Sequence, residues 1–126
     1  MALVDADDRH HSVLAALFRQ DPTAWILAVL SEVDYLLGAH VGRRAQDALL
    51  ADLGAGVFRV EWGGDADLSR ANELNARYRS LRLGLVDGVV IAIAERLRAK
   101  AVATLDLRHL GAVEIRGRPR VIPRDL

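Results

Sequence analysis

The sequence predicts an α/β domain with a largely parallel sheet, and three observations carry that expectation. Segments with helical spacing of apolar residues alternate with short apolar runs of strand character at residues 25–29, 57–60 and 101–104. A chain of 126 residues is room for one domain, over residues 1–126, with a real core. No stretch repeats and none is of low complexity.

The elements follow in order. Asp8 is placed to cap a first helix carrying Val13, Leu14, Leu17 and Phe18 at helical spacing, and Asp21-Pro22 ends it. The compact apolar run that starts at Trp25 then reads as a strand. Ser31 caps a second helix with Val33, Leu36 and Leu37 on its buried side, and Gly38 is expected to stop it. A third helix, residues 42–53, turns Ala45, Leu49 and Leu53 toward the core, and Gly54 and Gly56 lead into the strand at 57–60. A fourth runs from about Asp67 to Arg79. Residues 85–97 form the most apolar helix, expected against the sheet, and Lys100 leads into the strand after it. Residues 113–115 and 120–122 are short edge strands at most, given Gly117 and Pro119 between them.

Composition narrows the function. Apolar residues make up 52% and charged residues 27%, as in a globular domain, and no apolar run approaches the length that spans a bilayer. The absence of cysteine excludes disulfides and thiolate zinc sites, and the acidic opening from Asp5 to Asp8 is unlike a secretory signal, so a cytoplasmic protein is expected. Seventeen basic residues balance seventeen acidic ones, so any attraction for a polyanion must be local. All the basic residues except Lys100 are arginine, whose planar fork suits phosphate.

Three acids stand where chemistry is plausible. Asp87 sits in Leu85-Val86-Asp87-Gly88-Val89-Val90-Ile91-Ala92-Ile93-Ala94, where a carboxylate needs a partner or water; it is either a charge favoured by the helix dipole or a cation ligand. Asp106 follows the strand at 101–104, at the sheet end where open α/β folds place their sites, with Thr104 two residues before it; the plainer reading is a cap for residues 107–110. Glu32 falls in the first turn of its helix, as a capping-type charge or as a group projecting from the sheet edge, and Asp34 points to solvent. Together the three form an all-oxygen set suited to Mg²⁺ or Mn²⁺ rather than zinc.

His10 and His11 read as surface or capping residues, and His109 either assists a phosphate or packs against its loop, with packing preferred. Arg70, Arg77, Arg79 and Arg82, with Tyr78 among them, read as a solvated face or as a contact for an RNA backbone. A glycine-rich phosphate loop, a nucleophile elbow and a dinucleotide fingerprint are all missing.

Four stretches then carry a resemblance. They are Asp5-Ala6-Asp7-Asp8-Arg9-His10-His11, Ser31-Glu32-Val33-Asp34-Tyr35-Leu36-Leu37, Gly84-Leu85-Val86-Asp87-Gly88 and Ala103-Thr104-Leu105-Asp106-Leu107-Arg108-His109-Leu110. In order and spacing the set resembles PIN-domain ribonucleases, and more closely the VapC toxins of VapBC toxin–antitoxin pairs. The first stretch looks like the end of the family's first helix and its following loop, and the others look like its second, third and fourth acidic motifs. The resemblance implies a three-layer α/β/α fold and a Mg²⁺-dependent endoribonuclease, with Mn²⁺ as a substitute. It also implies Glu32, Asp87 and Asp106 as the catalytic and metal-holding acids, with Thr104 supporting Asp106, and products with 5′-phosphate and 3′-hydroxyl ends. RNA is then the substrate, with Arg77, Arg79 and Arg82 as contacts. A homodimer and a cognate VapB-type antitoxin over the acidic cleft are the expected partners, and Trp25 and Trp62 also suggest covered surface.

One part of the family pattern has no counterpart. Family members open with a central strand ending in aspartate, whereas Met1-Ala2-Leu3-Val4 aligns inside the helix that follows it, so Asp5, Asp7 and Asp8 do not take that aspartate's role. The alternative expectation is accordingly a PIN-like binding subunit with impaired catalysis.

Overall fold

The computed structural model describes residues 7, 9, 11–20, 30–104 and 106–125, with the backbone alone at 14, 17 and 18. The expected cap Asp8, the stop Asp21-Pro22 and the strand at 25–29 lie outside the described residues. The chain divides into two compact units, residues 1–60 and 61–126. Among the described residues no helix is long and apolar enough to cross a membrane.

The first unit holds three helices, α1 (His11–Gln20), α2 (Leu30–His40) and α3 (Arg43–Gly54). Leu37 of α2 is fully buried and Leu49 of α3 nearly so, as their helical spacing requires. Gly38 does not stop α2, which continues to His40. Its role is space: a Cβ there would lie 2.6 Å from Nε2 of Gln46 on α3, and that amide donates to the Asp34 carbonyl at 3.0 Å. Asp34, expected in solvent, is half-buried. The expected strand at 57–60 reduces to a single bridge residue, Val60. The N–H of Val57 donates instead to the Asp52 carbonyl at 3.0 Å, closing the last turn of α3 in place of pairing with a strand.

The second unit carries α4 (Asp65–Arg77), a 3₁₀ turn (Arg79–Leu81), α5 (Gly84–Arg96), β1 (Ala101–Ala103) and β2 (Arg120–Ile122). The two strands pair in parallel with Ala101 opposite Arg120, Val102 opposite Val121 and Ala103 opposite Ile122, as an α/β fold requires. Leu74, Leu83, Ile91, Ala94, Val102, Leu110, Val113 and Ile115 form its buried cluster. Val113 and Ile115 are thus buried without forming the expected strand. Between them the N–H of Glu114 donates to the Tyr78 hydroxyl at 3.1 Å, so a side chain from the end of α4 satisfies a backbone group that a ladder would have taken.

Two arginine forks stitch α4 to α5 in opposite directions. Arg70 of α4 grips Glu95 at 2.8 and 3.1 Å, and Arg96 of α5 grips Asp67 at 2.9 and 3.1 Å. Asp67 is buried, and its Oδ2 also accepts the N–H of Gly64, so one carboxylate both caps α4 and pairs with α5. About two turns before the forks on α5, the helices approach closely at Gly88, where a Cβ would lie 2.9 Å from the Ala71 Cβ. This packing fixes the first turn of α5, which contains Asp87.

Candidate metal centre

At the carboxyl end of β1 the chain enters a tight turn built by its own polar groups. The Thr104 Oγ1 accepts the N–H of Asp106 at 3.0 Å, and Asp106 Oδ1 accepts the N–H of His109 at 3.2 Å. The same carboxylate turns its Oδ2 to the His109 ring, 2.8 Å from Nδ1. Asp106 therefore caps its turn and also belongs to a side-chain cluster.

From α5, Asp87 brings its Oδ2 to 3.5 Å from the same His109 Nδ1. One ligand atom from each of Asp87, Asp106 and His109 lies within 4.8 Å of the others. Burial acts to raise the Asp106 carboxyl, but hydrogen bonds from the His109 ring and backbone outweigh it and hold that carboxyl below the usual carboxylate range. Asp106 is therefore ionised at neutral pH. Two carboxylates converging beside one imidazole form an oxygen-rich donor set that fits Mg²⁺ or Mn²⁺, and Asp87 and Asp106 are the residues that would hold such an ion.

The other predicted residues fall as follows. Glu32 lies in the first turn of α2, in the first unit, and is exposed. Arg77, at the end of α4, is exposed with its guanidinium 5.4 Å from the Tyr78 ring centre. Arg79 and Arg82 are exposed on the link from α4 to α5, Arg82 in the left-handed region at φ 52°. Arg70 differs from these three, because Glu95 and Glu73 occupy its guanidinium and withdraw it from any phosphate contact. His10 lies outside the described residues, and His11 is the first residue of α1.

His109 is the residue that sequence reading undervalues. Packing is the role its sequence context favours, yet its ring lies between the two acids. The signal is present as spacing: an acid and a histidine three residues apart in a turn can meet, and Thr104-Leu105-Asp106-Leu107-Arg108-His109 has that form.

The PIN domain family matches residues 1–114, and the chain belongs to that family. Ribonuclease VapC26 of Mycobacterium tuberculosis (strain ATCC 25618 / H37Rv) is 30% identical to it over 127 residues, covering 98% of this chain and 94% of the relative. The resemblance read from the four acidic and flanking motifs is thereby borne out at the level of a VapC-type PIN domain.

Proposed function

We propose that the chain acts as a single PIN-like domain over residues 1–126, a Mg²⁺-dependent cytoplasmic endoribonuclease toxin neutralised by a cognate VapB-type antitoxin. The observation that carries this reading is the convergence of Asp87 and Asp106 on His109 at the carboxyl end of β1, in a chain similar to a VapC ribonuclease. Glu32 joins the reading through its motif alone. Mn²⁺ can replace Mg²⁺ in such an oxygen set.

Bound there, the ion supplies positive charge to the scissile phosphate and lowers the pKa of a water. The protein's own groups prepare the site for it. Thr104 fixes the backbone of Asp106, and the Asp106 carboxylate stays ionised under its hydrogen bonds from His109. The His109 ring sets its Nδ1 2.8 Å from the Asp106 carboxylate and 3.5 Å from that of Asp87, so one imidazole bridges the two acids. Arg77, Arg79 and Arg82 carry the RNA backbone, since phosphate contacts position a strand without reading its sequence. Attack by water rather than by the ribose 2′-hydroxyl leaves 5′-phosphate and 3′-hydroxyl ends.

A homodimer belongs to the same proposal. Trp62 is 79% exposed, and Leu85, Val86 and Leu107 add exposed apolar surface in the same unit, which suits a covered face. The test of the function is cleavage of RNA by antitoxin-free protein in Mg²⁺ and in EDTA, with analysis of the product ends. Cleavage only with the metal, leaving 5′-phosphates, supports the proposal. Metal-independent cleavage, cyclic phosphate ends, or intact RNA contradicts it.

A further inference from the structure

The helix that carries Asp87 does not cap itself. The residue before it, Leu83, makes no side-chain cap bond, and Gly84 opens the helix at φ 77°. The first residue of the helix is held from another helix. Asn75 of α4 accepts the N–H of Gly84 on Oδ1 at 2.8 Å and donates from Nδ2 to the Gly84 carbonyl at 2.9 Å. The same Nδ2 donates to the Ala71 carbonyl of its own helix, also at 2.9 Å.

We infer that Asn75 is a positioning residue for the cation site, holding the first turn of α5 in the rotation that aims Asp87 at Asp106 and His109. The inference rests on the reading of Asp87 as a metal-holding acid. A two-point grip on one residue fixes its rotation as well as its place. A carboxamide is suited to it, because donor and acceptor sit on one short side chain. Aspartate has no donor, and glutamine carries its amide one methylene further out.

Two further features place the grip where it matters. Asn75 also lies against Gly88, the residue that follows Asp87: a Cβ there would come 3.0 Å from its Nδ2. One side chain therefore bounds the segment three residues before Asp87 and one residue after it. At a side-chain radius of about 5 Å, a rotation of about 20° in that turn moves the carboxylate by about 2 Å. Such a shift is enough to break a site in which Asp87 Oδ2 lies 3.5 Å from His109 Nδ1.

The test uses the full chain as parent, Asn75→Ala, Asn75→Asp and Tyr78→Phe. The last loses one hydrogen bond in the same unit, from the Glu114 N–H, without touching α5's first turn. Mg²⁺ affinity is measured by calorimetry without RNA, alongside the Mg²⁺ dependence of cleavage and the thermal midpoint. Asn75→Ala should weaken Mg²⁺ binding about tenfold, as losses behind a metal ligand commonly do, with cleavage recovering at high Mg²⁺. Tyr78→Phe should lower the thermal midpoint and leave Mg²⁺ affinity at the parent value. Asn75→Asp keeps the bond to the Gly84 N–H and should fall between; it carries the test if Asn75→Ala does not fold. Parent-like Mg²⁺ affinity in both Asn75 variants, or an equal loss in Tyr78→Phe, overturns the role of Asn75 alone. A parent that neither binds Mg²⁺ nor cleaves RNA overturns the site reading, and this inference with it.

Discussion

Replacing Gly88 by alanine tests how tightly α4 and α5 set the place of Asp87. The added Cβ would lie 2.9 Å from the Ala71 Cβ, 3.2 Å from its Cα and 3.0 Å from Asn75 Nδ2. Carbon atoms rest about 3.5–4.0 Å apart, so the helices must separate by close to an ångström, and the crowding against the Ala71 main chain prevents relief by a side-chain rotation alone. Overpacking of this kind costs about 1–3 kcal/mol, and a clash with main-chain atoms puts Gly88→Ala at the upper end. The better helix propensity of alanine offsets about 1 kcal/mol of that. A net loss of about 2 kcal/mol lowers the midpoint by roughly 8 °C in a chain of this size. Gly54→Ala is the control, because nothing lies within 4 Å of a Cβ there, and its midpoint should hold or rise. Thermal melts of both variants, with a Mg²⁺ titration of cleavage for Gly88→Ala, complete the assay. The reasoning fails if Gly88→Ala melts at or above the parent, or if Gly54→Ala falls as far.

Other outcomes follow from the same geometry. Asp125 accepts the Val121 N–H at 2.6 Å and pairs with Arg124, and the Arg124 bond foremost brings its carboxyl down to about 2. The unfolded chain binds the proton first as pH falls, so this contribution is complete above the ordinary value of 3.8 and is lost on descent through about 2. Asp125→Asn should flatten the thermal midpoint's dependence on pH across that window, and an unchanged slope contradicts the account. Glu32→Gln should lower RNA cleavage at least about a hundredfold with an unaltered thermal midpoint, because the side chain is exposed, and parent-level cleavage excludes it from the chemistry. Replacing Arg77, Arg79 and Arg82 together by glutamine should weaken RNA binding and reduce its log–log salt slope by about 2, the share of three phosphate contacts on a single strand. An unchanged slope removes these arginines from the RNA path.

The sequence makes some of this legible because the relevant forces are local. Asp87 and Asp106 stand out as acids at the head of an apolar helix and after a short strand, and the observed α5 begins one residue from its expected start. Periodicity also locates α3 and α4 to within about two residues. Long-range satisfaction of backbone groups is not legible. Residues 57–60 have strand composition, yet the Val57 N–H turns back to Asp52; 113–115 have it too, yet a tyrosine hydroxyl takes the N–H of Glu114. Gly38 reads as a stop because glycine often ends helices, while its actual function is to admit Gln46. Asn75 gives no local sign, since its partner lies nine residues away across a helix junction. His109 is visible only as a spacing, and its value depends on Asp87, which arrives from another element.

The most direct test of the central claim is Mg²⁺-dependent RNA cleavage by Asp87→Asn and Asp106→Asn beside the parent, with a thermal melt of each. Amide for carboxylate keeps the shape of Asp87, removes a charge from a pair of like charges, and should leave its midpoint equal or higher. Asp106→Asn should lose some stability, because its carboxylate holds the turn at His109. Both should lose cleavage by about a thousandfold or more, the scale of removing a group that stabilises transition-state charge. Parent-level cleavage by folded Asp87→Asn in Mg²⁺ would contradict the assignment of this site.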